Sequence, residues 1–140
     1  MRLHASCACL GDDAVLLLGA SGSGKSDLVL RLIDHGFELV ADDQVDIEDG
    51  CARPPAALAG LLEVRGLGIF RLPCRAPARL RLAAMLGAQG ERLPHPATWD
   101  LLPLPLIRLD ARAASAPARV RLALDAACGR RAQAVGAFAA

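Results

Sequence analysis

At 140 residues the chain is long enough for one domain with a core of its own, and 54% hydrophobic with 22% charged residues is a globular composition. A formal net charge of +1 excludes the broad basic field of a nucleic-acid or membrane-surface binder, and three Phe, one Trp and no Tyr leave no platform for stacking bases. No apolar run approaches the ~20 residues that cross a bilayer. The N-terminal MRLHASCACLGDD is not a basic stretch followed by a long apolar one, so the chain reads as cytoplasmic.

Taken in chain order, residues 14–18 (AVLLL) form a short apolar run that ends at Gly19 and reads as a buried strand. His4 stands before it, as a lone histidine with no special weight from composition. Residues 26–35 carry apolar side chains at Leu28, Val29, Leu32 and Ile33, a helical stripe stopped by Gly36. Residues 37–41 (FELVA) read as a second strand, which makes strand, helix and strand a βαβ-like unit. Residues 45–47 and 51–53 flank Asp49-Gly50, a good hairpin turn, before Pro54-Pro55 breaks the pattern. Residues 62–71 (LEVRGLGIFR) are either an amphipathic strand running into a turn or part of an active site. Residues 80–86 read as a strand, 87–97 as a Gly- and Pro-rich loop and 104–109 as another strand. Ser115 and Pro117 open a helix over 119–127 that Gly129 ends. The tail beyond is weakly patterned.

Five cysteines, Cys7, Cys9, Cys51, Cys74 and Cys128, are odd in number and irregular in spacing, as expected of reduced thiols and not of a zinc site. The chain has fifteen arginines and a single lysine, Lys25. Where a generic cation was needed an arginine was used, so Lys25 should do what a guanidinium cannot.

Lys25 lies in Gly19-Ala20-Ser21-Gly22-Ser23-Gly24-Lys25-Ser26, which fits G-x-x-x-x-G-K-[ST] with a strand entering and a helix leaving. Glycines there let backbone N–H groups curl round phosphate oxygens, and the helix N-terminus adds partial positive charge. Lys25 would set a compact ammonium on the outer phosphates, and Ser26 would ligate Mg²⁺. The N-K-x-D motif of a GTPase is absent. Asp42 and Asp43 close the strand at 37–41, where a metal-binding acid belongs. Adjacent acids on an extended chain point to opposite sides, so one faces the phosphates and the other the scaffold, unless the pair is a solvated turn or a helix cap.

The glycine loop, the strand ending in Val40-Ala-Asp-Asp-Gln-Val-Asp46, and Glu63-Val-Arg-Gly-Leu-Gly-Ile69 at similar spacing together resemble the catalytic domain of bacterial HPr kinase/phosphorylase. The spacing from His4 to Gly19 also matches that family's histidine, and the resemblance covers roughly residues 4–110. It implies an α/β P-loop kinase domain related to the nucleotide-binding core of phosphoenolpyruvate carboxykinase, here as a single domain over 1–140 in a short form without the usual N-terminal domain. It implies ATP-dependent phosphorylation of a serine on HPr, the small phosphocarrier of the sugar phosphotransferase system, with Mg²⁺ as cofactor. The reverse reaction would use phosphate and release pyrophosphate. Assembly into hexamers would follow.

By the same resemblance Ser26 and Glu63 are the magnesium ligands, Arg65 lies at the phosphate site, Asp43 is the catalytic base, and His4 helps set its charge. Arg92 matches a catalytic arginine within a divergent loop. The family's P-V-x-x-G-R segment has no match in residues 111–119, where Arg112 and Arg119 are the arginines available. The C-terminal helices that engage HPr and neighbouring subunits look truncated after Cys128. Two other readings stay open: a P-loop kinase with a different hydroxyl acceptor, and a non-enzymatic ATP-sensing module.

Overall fold

Val15 and Leu17 alternate with Ala14, Leu16 and Leu18 along one strand, and all five are buried, so both faces of that strand are covered. The computed structural model, which describes residues 1–139, shows how. The elements are β1 (Arg2–His4), β2 (Ser6–Leu10), β3 (Asp13–Leu18), α1 (Lys25–Asp34), β4 (Glu38–Ala41), β5 (Gln44–Glu48), β6 (Cys51–Arg53), β7 (Leu61–Val64), β8 (Gly68–Arg71), β9 (Ala78–Leu86), β10 (Leu106–Leu109) and α2 (Ala116–Ala127). The main sheet has eight strands, in the order β1-β5-β6-β9-β3-β2-β4, with β10 also on β9.

β3, β9 and β10 are parallel, while β2 is antiparallel to both β3 and β4. The βαβ unit expected from the sequence is therefore present with β2 inserted between its two strands. β9 is long enough to share one edge between two partners: Ala78 and Arg79 pair with β6, and Ala83 to Leu86 pair with β10.

One face of the sheet packs Val15, Leu17, Leu82 and Ala84 against Leu28, Val29 and Leu32 of α1 and Val120 and Leu124 of α2. The other packs Leu16, Leu18, Cys7, Val40, Val45 and Leu80, with Trp99, Leu102 and Leu104 partly covering them. Each fully buried leucine contributes about 2 kcal/mol by leaving water. Burial pushes the Cys9 thiol up to about 11 and that of Cys7 higher still, so both stay protonated as reduced core thiols. No helix is long and apolar enough to cross a membrane among the described residues.

Several boundaries move. Asp49 and Gly50 carry φ of 52° and 75°, the paired positive values of a tight hairpin turn. The helix expected over 119–127 begins three residues earlier, at Ala116. His4 does not stand ahead of the first strand but ends β1, which pairs with β5 so that His4 lies opposite Gln44. The stretch 62–71 is neither a single strand nor part of the main sheet. It is a separate two-stranded hairpin, β7–β8, whose Leu62 is buried in the helix-side core.

A small ion-pair network anchors the end of α2. Arg130 Nη1 and Nε donate to Asp13 at 2.7 Å and Asp125 at 2.9 Å, and Arg81 Nε donates to Asp13 at 2.9 Å. Partial burial alone would raise both carboxyls, but the guanidiniums outweigh it and hold them below their ordinary 3.8. A lowered folded value gives stability that is present above the ordinary carboxylate range and lost as pH falls through the lowered one. Arg130→Ala is expected to lower stability at neutral pH by about 1 kcal/mol, since the pairs are half-exposed. The gap from the unmodified chain should close in denaturant melts below pH 4. A gap constant from neutral to acid pH would contradict this account.

Candidate active site

The bend from β3 into α1 needs backbone conformations that side chains disfavour. Gly19 has φ of 145°, and a Cβ there would stand 2.6 Å from Ser23 Oγ and 3.2 Å from the Leu86 carbonyl. Gly24 has φ of 97° and caps α1 with no side-chain hydrogen bond, so the first N–H groups of the helix have no capping side chain. A Cβ on Gly24 would meet the Cβ of Ala111 at 3.3 Å. Ser23 N–H closes the loop on the Ala20 carbonyl at 3.0 Å.

Lys25 is buried at the base of this loop, and its Nζ donates to the carbonyls of Gly19 at 2.7 Å and Ala20 at 3.0 Å. Burial pulls its pKa below the ordinary value, against the charges of Asp43 and Asp42. The next residue, Ser26, donates its hydroxyl to Asp42 Oδ1 at 2.7 Å, and the buried Ser6 hydroxyl donates to the same oxygen at 2.8 Å. Asp42 is itself buried, so its carboxylate depends on those hydroxyls in place of water.

Asp43 turns the other way. Its φ of 70° carries the side chain out of the sheet, where it is 64% exposed, with Oδ1 3.2 Å from His4 Nδ1. His4 Nε2 lies 3.4 Å from Ser21 Oγ of the glycine loop. The two adjacent acids divide as expected, Asp42 towards the scaffold and Ser26, Asp43 towards His4, but they do so in a bend between β4 and β5 with Asp43 at positive φ, not by the alternation of an extended strand.

These groups open onto one cleft of about 530 Å³. His4, Ser21, Gly22, Gly24, Lys25, Ser26 and Asp43 form one side, and Glu63 and Arg65, carried by the β7–β8 hairpin, also line it. Gly19, Ala20 and Ser23 shape the loop without lining the cleft. Arg92 is exposed in the 87–98 connection and is not among the lining residues, so the structure does not bring it together with the others.

Three polar lining residues were not foreseen, Ser6, Asp27 and Arg31, nor were the apolar Leu30, Val64 and Ala111; Arg112, which also lines the cleft, was noted only as an arginine available where the family's segment has no match. A Ser in a strand of small residues carries no motif. Arg31 had a weak signal, four residues after Asp27 on one helix face, where its Nε donates to Asp27 at 3.0 Å.

No group of three His, Cys, Asp or Glu side chains converges among the described residues. Mg²⁺ beside phosphates needs only one or two protein oxygens, the rest coming from phosphate and water. The Ser26 hydroxyl against the Asp42 carboxylate, with Glu63 in the same cleft, is a hard-oxygen set of that kind, and it fits the ion.

The HPr serine kinase C-terminal domain family matches residues 1–73. An HPr kinase/phosphorylase of Clostridium beijerinckii is 46% identical over a stretch covering 49% of this chain and 24% of that protein. One of Aromatoleum aromaticum is 39% identical, covering 67% of this chain and 36% of its own length. The chain thus spans about a quarter to a third of the curated relatives it matches. Among solved structures, the HPr(Ser) kinase/phosphatase from Coxiella burnetii superposes with a TM-score of 0.72 over 86% of each chain at 23% identity, a likeness of fold.

Proposed function

We propose, because the chain belongs to the HPr serine kinase C-terminal domain family, that it transfers the γ-phosphoryl group of ATP to a serine of HPr or an HPr-like phosphocarrier. The observation that carries this reading is the single cleft in which a P-loop lysine, a serine–carboxylate pair and an exposed carboxylate held by a histidine meet.

In this reading the glycine loop and the N-terminus of α1 hold the β- and γ-phosphates. Lys25 exchanges one of its carbonyl contacts for a phosphate oxygen. Ser26 and Glu63 would hold Mg²⁺, which when bound neutralises phosphate charge and orients the γ-phosphoryl group for in-line displacement. Asp43 takes the proton of the attacking serine hydroxyl as its oxygen bonds to the γ-phosphorus. The bond from that phosphorus to the β–γ bridging oxygen breaks, and ADP leaves. His4 holds the Asp43 carboxylate in place for this. Arg65 meets the charge on the transferring group. With phosphate as the attacking group on phosphoserine, Asp43 would return the proton to serine and pyrophosphate would leave. Arg92, outside the cleft, has no step here.

A protein acceptor also suits the surface beside the cleft. Leu67, Ile69 and Phe70 on the β7–β8 hairpin are 75%, 68% and 44% exposed, next to Glu63 and Arg65. A small hydroxylated acceptor would not need that apolar strip, whereas a docked protein would cover it.

The test is to mix the 140-residue chain with Mg-ATP and HPr from the same organism and read the intact mass of HPr. One added phosphoryl group, mapped to a serine, is expected. Bound ATP with unmodified HPr would overturn the assigned acceptor.

A further inference from the structure

Among the residues lining the cleft, Arg112 belongs to no motif. It sits in the connection between β10 and α2, a segment with neither the glycines nor the acids that mark the rest of the site. Its position is nevertheless tightly determined. Its own N–H donates to Asp110 Oδ1 at 2.9 Å, and the Ala113 N–H donates to the Asp110 carbonyl at 3.1 Å, which closes a turn around residue 112. Arg31 of α1 clamps both flanks, its Nη2 donating to the Ala111 carbonyl and its Nη1 to the Ala113 carbonyl at 3.3 Å. Ala111, buried, is the neighbour that a Cβ on Gly24, the last glycine of the phosphate loop, would crowd at 3.3 Å. The connection is thus docked on the entrance of α1 with residue 112 at the cleft.

Two of the other cations there are committed, while Arg65 on the hairpin, like Arg112, has no ion pair among the described residues. Lys25 is held by two loop carbonyls, and Arg31 by Asp27 and two more carbonyls. The Arg112 guanidinium has no carboxylate within ion-pair distance among the described residues. An exposed guanidinium with no carboxylate partner, lining the same cleft as the loop lysine and the N-terminus of α1, adds to the positive potential there and is available to an incoming anion. Its planar fork suits two oxygens of one phosphate.

We propose that Arg112 is a phosphate-contacting residue of this cleft, its guanidinium receiving the outermost phosphate of the bound nucleotide from the side opposite the loop lysine. This rests on the kinase reading above. It adds to that reading a residue that no motif in the chain marks, at the place where a cation is needed and Arg92 is not found.

Calorimetry with Mg-ATP and Mg-ADP separates the two claims. Arg112→Ala is expected to weaken Mg-ATP binding roughly 10- to 100-fold, the range for losing charged hydrogen bonds, and Mg-ADP binding by less than about twofold. Arg112→Lys should restore part of the ATP affinity, because it returns the charge without the fork. Arg53→Ala, at the exposed end of β6 and outside the cleft, should leave both affinities unchanged and serves as the control for net charge. Equal affinities for ATP in Arg112→Ala and the unmodified chain would overturn the proposal, as would an equal loss for ATP and ADP. An unmodified chain that binds neither nucleotide would overturn the kinase reading first, and this one with it.

Discussion

Lys25→Ala should abolish nucleotide use, with transfer to HPr falling by roughly 100- to 1,000-fold, the scale of losing one preorganised charge at a phosphoryl group. The argument is structural as well as compositional. The only lysine of the chain is buried beneath the glycine loop, with its ammonium on the Gly19 and Ala20 carbonyls. A compact point charge fits there and can turn to a phosphate; the wide, planar head of an arginine needs more room, so Lys25→Arg should fail nearly as badly. The core is made elsewhere, by the leucines and valines of the sheet and α1, so both variants should melt cooperatively. Calorimetric binding of Mg-ATP together with a circular-dichroism melt checks both halves. A Lys25→Ala protein that is folded and still transfers at the normal rate would remove the phosphate loop from the mechanism.

The second large effect lies at Asp43. Asp43→Asn should leave Mg-ATP binding within about twofold while transfer falls by roughly 100- to 10,000-fold, the range for removing a general base. The substitution is unusually clean here. Asp43 has a positive φ, a conformation Asn tolerates as readily as Asp, and its side chain is mostly in solvent, so neither backbone nor packing should respond. Asparagine still fills the space beside His4 but accepts no proton. The neighbouring acid could not serve for this experiment. Asp42 takes two hydroxyl donors on one buried oxygen, and changing it would disturb Ser6 and Ser26 together. Measured single-turnover transfer and binding separate the outcomes, and normal turnover in Asp43→Asn would remove the assigned base.

The local parts of this site could be read from the chain because their geometry is local. The bend at Gly19 to Ser26 follows from glycines, a strand before and a helix after. The split between Asp42 and Asp43 was legible as an outcome, although a bend with Asp43 at positive φ makes it and not the alternation of an extended segment. The unread parts have two causes. β2 is Ser-Cys-Ala-Cys-Leu, small residues buried on both faces, so it shows neither alternation nor a branched apolar run, and the ladder that brings β1 to β5 was invisible with it. Without that ladder His4 and Asp43 are thirty-nine residues apart in sequence; with it, they touch. The place of Arg112 depends on Arg31 reaching across to the β10–α2 connection, a contact over 80 residues that no periodicity encodes. In residues 62–71 both readings hold: β7 runs into a turn at Gly66 and Gly68 opens β8, while Glu63 and Arg65 line the cleft; what the sequence did not show is that this hairpin stands apart from the main sheet.

The order of strands in that sheet bears on how the chain can be made. β6 and β3 are synthesised early, yet the strand that stands between them is β9, residues 78–86. Until β9 leaves the ribosome, each of the two keeps a bare edge, and Leu16 and Leu17 lack the neighbours that enclose them. The stretch that carries the family likeness, residues 1–73, ends short of β9. It holds nearly every residue of the cleft but lacks the strand that joins β6 to β3. A nascent or truncated chain stopped there would present two open strand edges to its own kind, a state prone to self-association.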